Sequence, residues 1–141
     1  MKKMILYQPL YIDNRTDSNS GTLVRPIQMK RAFESIGYHV ISINGSTKHR
    51  KAMLHDALKD PELEFMYIES ANVPMCLSNK DHIPVAPFSD INNFILAKKT
   101  IGLGLFYRDA FWRYPSFTAE VGILKSLVLK SLFYIEFCCL K

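Results

Sequence analysis

An apolar run, Ile101-Gly102-Leu103-Gly104-Leu105-Phe106, opens directly into Tyr107-Arg108-Asp109-Ala110-Phe111-Trp112-Arg113-Tyr114-Pro115. Aromatic rings and planar guanidinium groups suit sugar faces and phosphates, and a carboxylate accepts hydrogen bonds from hydroxyls or orients an arginine. In an α/β protein the groups just past the carboxyl end of a parallel strand line the ligand crevice. Tyr107, Arg108, Asp109, Trp112 and Arg113 are therefore the first candidates for substrate binding, and Trp112 is the only Trp in the chain. The structural alternative is ion pairing of Arg108 with Asp109, or of Arg113 with Glu120.

A second candidate lies nearer the amino terminus. Ser20-Gly21-Thr22 closes a polar segment just before a predicted helix, where backbone N–H groups suit an anion. Arg25 beside it adds a guanidinium built for forked contact with phosphate or carboxylate. Neither G-x-G-x-x-G nor G-x-x-x-x-G-K-[ST] is present, so the dinucleotide and P-loop patterns lack their glycines. Ser70-Ala71-Asn72-Val73-Pro74 follows a predicted strand and faces the same crevice. His82 has Cys76 and Asp81 nearby without paired metal-ligand spacing, so neither a metal nor a cofactor is expected. No Ser-His-Asp or Cys-His set can be assembled by spacing, and the catalytic group is left unassigned.

Elements of alternating type must position these groups. Lys3 to Gln8 reads as a short buried strand and Asp13 to Thr22 as a loop. A helix from Arg25-Pro26, with Pro in the first turn, carries Ile27, Met29, Ala32, Phe33 and Ile36 and stops at Gly37. Tyr38 to Ile43 is a second strand. Ser46 or Thr47 then caps a helix with Met53, Leu54, Ala57 and Leu58 inward. Glu64 to Glu69 is a third strand with the continuous apolar look of one covered on both faces. Ser70 to Phe88, with three prolines, reads as an ordered functional loop. A helix from Ser89 or Asp90 to about Lys99 and a strand from Ile101 to Phe106 follow. A last helix over Thr118 to Phe137 carries Val121, Leu124, Val128, Leu132 and Ile135 on one stripe. The alternation argues an α/β fold, a Rossmann-like parallel sheet flanked by helices. Residues 1–117 form the domain and 118–141 an apolar helix for the core, an interface or a membrane surface.

Composition bounds the rest. With 141 residues and 48% hydrophobic content the chain suits a single domain that buries a core without staples. Three cysteines, an odd count, argue against a disulfide framework and for a reducing, cytoplasmic setting. The apolar start is cut at Gln8-Pro9, far short of a signal peptide, and no window approaches the roughly 18 uninterrupted apolar residues of a membrane span. The net charge of +5 admits anionic partners. Lys48-His49-Arg50-Lys51 is the densest basic cluster. Without interleaved aromatics it reads as a solvated helix face, so no nucleic-acid partner is expected.

One resemblance gathers these residues. Ser20-Gly21-x-x-x-Arg25-Pro26-x-x-Met29-x-x-Ala32-Phe33-x-x-x-Gly37-Tyr38-x-Val40, then Ser70 and Pro74, then Gly104-Leu105-Phe106-Tyr107-Arg108-Asp109-x-x-Trp112-x-x-Pro115 resemble the amino-terminal half of a bacterial family 4 glycosyltransferase of the GT-B class, of the capsule and exopolysaccharide type. The resemblance implies sugar transfer from a nucleotide-sugar to a glycan or lipid-linked acceptor, at the inner face of the membrane, without an obligatory metal. It implies that Tyr107, Arg108, Asp109, Trp112 and Arg113 line an acceptor cleft, with Ser20, Gly21 and Arg25 near the donor phosphates. The family's donor domain carries two glutamates eight residues apart, which this chain lacks. The expectation is thus a truncated acceptor-side domain, inactive alone. The alternative is a non-catalytic binding subunit of a split transferase whose partner brings the donor domain. Lys125 and Lys130 among Leu, Val and Phe leave room for a peripheral membrane contact.

Overall fold

Met4, Ile5, Leu6 and Tyr7 are all buried along β1 (Lys3–Tyr7). A strand buried on consecutive residues must be covered on both faces. In the computed structural model, which describes residues 2–8, 21–69, 89–106 and 110–140, β1 is an inner strand. It pairs in parallel with β2 (His39–Ile43) on one side and β3 (Leu63–Glu69) on the other. β4 (Gly102–Phe106) continues the sheet beyond β3, giving the parallel order β2-β1-β3-β4.

The strands' side-chain alternation divides the core between two faces. On one face Met4, Leu6 and Val40 meet Phe33 of α1 (Gly21–Ser35), together with Tyr38, Phe65 and Tyr67. Phe33 sits edge-on to Tyr38, Phe65 and Tyr67, an arrangement aromatic quadrupoles favour. On the other face Ile5, Tyr7, Ile43, Met66 and Ile68 pack against Leu54 of α2 (Thr47–Ala57) and against Phe94 and Ala97 of α3 (Ser89–Thr100). The protein is thus an α/β domain with a four-stranded parallel sheet flanked by helices.

Local chemistry sets the helix ends. Ser46 caps α2 by accepting from the N–H of His49, and Gly37 and Gly45 take the left-handed turns that end α1 and β2. α1 begins at Gly21, one turn earlier than the expected start at Arg25-Pro26. Pro26 therefore lies inside the helix and removes one interior hydrogen bond. Ile27 and Ile36, expected inward, are exposed.

After a 3-10 turn at Phe111–Arg113, the expected single last helix is two: α4 (Ser116–Val121) and α5 (Ile123–Leu140). Gly122 divides them at φ 85°, a conformation that costs little only without a Cβ. α5 packs on α3, and its rotation differs from the expected stripe. Leu124, Val128 and Ile135 face outward, whereas Ser126, Phe133 and Glu136 are buried. No described helix is long and apolar enough to cross a membrane.

Ion pairs tie down the amino end of the sheet. Lys3 Nζ lies 2.8 Å from Asp60 and 2.9 Å from Glu62, and Lys2 Nζ lies 3.1 Å from Glu64. The hydrogen bonds from these lysines hold all three carboxyls below their ordinary pKa values of 3.8 for Asp and 4.5 for Glu. A carboxyl depressed in the folded state adds stability above its unfolded pKa and loses it as pH falls through the folded value. Thermal melts should therefore show stability falling as pH drops below about 4, the unfolded range of these groups, and Lys3→Met should flatten that dependence. An unchanged acid limb in the variant would exclude these pairs as its source.

Candidate functional site

All strand carboxyl ends lie at one edge of the parallel sheet. The chain leaves β1 toward β2 on one side and leaves β3 toward β4 on the other, so the switch point falls between β1 and β3. The crevice outside such a point is where open α/β sheets bind ligands. Two polar clusters stand along this edge, one sealed and one open.

The sealed cluster is built from the ends of β1, α2 and α3. Arg50, fully buried, reaches Asp90 with a two-pronged contact, Nη2 to Oδ2 at 2.7 Å and Nε to Oδ1 at 3.1 Å. Its Nη1 donates to the carbonyl of Gly45 and its Nη2 to Thr47 Oγ1 at 3.3 Å. The Tyr7 hydroxyl donates to Asp90 Oδ1 and accepts from Asn93 Nδ2. Burial, then the Asp90 carboxylate, raises the Tyr7 pKa well above its ordinary value, so the phenol stays a donor. This overturns the reading of Lys48-His49-Arg50-Lys51 as a uniformly solvated face. Arg50 stands four residues before Leu54, on the inward side of α2.

The open cluster joins α1 to the ends of β3 and β4. Arg25, in the second turn of α1, donates from Nε to Glu69 Oε2 at 2.9 Å, and its guanidinium lies 4.8 Å from the centre of the Phe106 ring. The Tyr67 hydroxyl donates to Glu69 Oε1 at 3.2 Å. Partial burial and the neighbouring Glu69 carboxylate push the Tyr67 pKa up to about 12. Glu69 is therefore held by two donors and in turn orients Arg25 through its Nε. The guanidinium and the Phe106 ring remain partly exposed, at 38% and 44%. A half-exposed cation on an aromatic face can donate to hydroxyl or anionic oxygens while the ring meets an apolar sugar face.

Of the predicted site residues, Arg25 is at this edge, and Gly21 opens the helix that carries it. Ser20, Ser70, Tyr107, Arg108 and Asp109 lie outside the described residues. Trp112 and Arg113 form a separate group. The Trp112 ring stacks on buried Phe133 of α5 at 5.5 Å, its Nε1 is itself buried, and Arg113 lies over the indole at 5.4 Å. Trp112 thus anchors the α5 layer. Glu69, Tyr67 and Phe106 were not singled out by sequence reasoning. The available signal was an acid ending the otherwise apolar Phe65-Met66-Tyr67-Ile68, at the carboxyl end of a strand.

No protein-family model, curated protein or solved structure matches the chain.

The sealed cluster makes a stability prediction. Removing one partner of a buried pair leaves an uncompensated charge, at a cost of about 3–5 kcal/mol, while replacing both by apolar groups costs far less. Urea unfolding should show Asp90→Leu strongly destabilised, with Arg50→Met added to it recovering much of the loss. An additive double variant would exclude the pairing as the source.

Proposed function

We propose that the chain is the acceptor-side domain of a GT-B class sugar transferase, and that it binds a glycan acceptor at the carboxyl edge of its sheet. The observation that carries the reading is the Arg25–Glu69–Phe106 arrangement at the carboxyl ends of β3 and β4, beside the switch point. A parallel sheet flanked by helices accords with a Rossmann-like half of such an enzyme. A fixed guanidinium beside an exposed ring accords with recognition of a sugar through its hydroxyls and its apolar face.

The work of this domain is positioning. In the transfer, the bond from the anomeric carbon to the nucleotide diphosphate breaks, a bond to an acceptor hydroxyl oxygen forms, and the hydroxyl proton leaves. Holding the acceptor still converts an encounter between two molecules into a step within one complex. Arg25 donates to the bound oxygens and Phe106 supports the ring. Glu69 and Tyr67 act through Arg25 and are positioning residues. The nucleotide-sugar binds a second domain facing this edge, in the same polypeptide or in a partner.

Titration calorimetry against a panel of capsule-type oligosaccharides and nucleotide-sugars tests this reading. A hydrogen bond from a charged group contributes about 1.5–3 kcal/mol, so Arg25→Ala should weaken glycan binding by roughly tenfold to a hundredfold. Glu69→Gln should weaken it less. Absence of glycan binding by the folded chain, or binding indifferent to Arg25→Ala, would overturn the proposal.

A further inference from the structure

β4 is the last strand of the sheet, and among the described residues no strand lies beyond it. Its sequence, Gly102-Leu103-Gly104-Leu105-Phe106, contains no charge and no proline, and its ladder with β3 runs without a bulge. Charge, proline and a bulge are among the devices that keep an edge strand from pairing with another chain, and β4 carries none of these three. The opposite edge strand, β2, is better covered. Val40 and Ile43 are buried there, whereas no residue of β4 is, although Leu103 and Leu105 pack against the main core.

We propose that β4 pairs antiparallel with β4 of a second copy of this chain, joining two four-stranded sheets into one. Only an extended backbone satisfies a row of alternating N–H and C=O groups. The side chains select a second copy as its source. A twofold axis through Gly104 sets Gly104 opposite itself, Leu103 opposite Leu105 of the second copy, and Gly102 opposite its Phe106. On the α1 face Gly102 and Gly104 bring no side chain of their own to the seam, so the two backbones can approach closely. On the α3 face the half-buried leucines meet each other. Because β4 is uncharged, the symmetric pairing opposes no like charges. An interface of this kind is isologous and closes at two copies.

The side of the sheet that holds Leu103 and Leu105 carries more unburied apolar surface. α3 covers that side and α5 packs on α3, with Ile123, Leu124, Leu127 and Val128 each more than half exposed. Strand pairing alone buries little, and a stable dimer needs on the order of 1,200–2,000 Å² in total. The outer row of α5 is the apolar surface available to supply the remainder.

Gly104 allows a clean test. A Cβ built there comes no nearer than 3.7 Å to the Tyr67 ring, an ordinary contact, so the monomer accommodates a side chain at this position. Sedimentation velocity of the purified chain should show a dimer. Gly104→Lys, which sets two ammonium groups at the axis, should lose the dimer at concentrations where the parent chain keeps it, with an unchanged circular dichroism spectrum. Opposed residues of an antiparallel pair stand about 4.5–5.5 Å apart at Cα, within disulfide reach. Oxidised Gly104→Cys should therefore give a peptide cross-linked between the two substituted positions. A chain that is monomeric at all concentrations would overturn the proposal. So would a dimer indifferent to Gly104→Lys but broken by Leu127→Lys, or a monomer that pellets with phosphatidylglycerol vesicles through Leu127.

Discussion

The two-pronged contact between Arg50 and Asp90 is the interaction on which the arrangement at the sheet's carboxyl edge depends. It is fully enclosed, and neither charge has water to fall back on. Each must be met by a partner held in place, since an ion removed from water and left unmatched is costly. The partners come from separate parts of the chain: the end of β1 through Tyr7, the turn before α2 through Gly45, and the starts of α2 and α3 through Thr47, Asp90 and Asn93. Hydrophobic burial brings these elements together without direction. The forked geometry of guanidinium on carboxylate adds direction, fixing how the starts of two helices sit against the strand.

The same chemistry appears a second time with a different outcome, and burial is the cause. Arg25 and Glu69 form a contact at 2.9 Å, between the 2.7 and 3.1 Å prongs of the buried pair, but Arg25 is partly in water and lies over a half-exposed ring. An exposed pair of this kind contributes little to stability. Its worth lies in orientation, because Glu69, itself held by the Tyr67 hydroxyl, directs the guanidinium over the Phe106 ring at the carboxyl ends of β3 and β4. A rigid sealed pair beneath and an accessible pair above is the division of labour that a binding edge needs, since recognition requires preorganised donors that still face the ligand.

The strands and first three helices were legible in the sequence because each carries its own periodicity and stop signal. Met4 to Tyr7 and Phe65 to Ile68 read as buried strands from continuous apolar runs, and Gly37, Gly45 and Ser46 marked turns and a cap that the structure bears out. What escaped was polar and nonlocal. Arg50 stands in a basic run that hides it among solvated neighbours, although Leu54 one turn on shows which way it points. Glu69 and Arg25 stand 44 residues apart and meet only because α1 passes over β3. Periodicity says which face a residue occupies and nothing about which polar group it meets. Trp112 was ambiguous for the opposite reason: its side chain suits a cleft or a core equally, and sequence could not show that the ring of Phe133 stacks on it.

The rotation of α5 follows from the same priority of polar satisfaction over apolar pattern. The 18-residue helix is mostly apolar on every side, so burial alone scarcely distinguishes one face from another. Hydrogen bonds do. Thr118 Oγ1 of α4 meets Ser126 Oγ at 2.9 Å and accepts from Lys130 Nζ at 3.0 Å, and the Gly122 turn brings the two helices close enough for it. With Ser126, Lys130 and Glu136 on the inner side, the row of Ile123, Leu124, Leu127 and Val128 is turned outward. The chain therefore keeps these hydrogen bonds while exposing apolar side chains, and among the described residues no strand pairs with the outer edge of β4. Large exposed apolar surfaces on soluble chains usually mark contact sites. Pairing at the β4 edge would leave the inner hydrogen bonds of α4 and α5 untouched, since none of their donors or acceptors lies on β4.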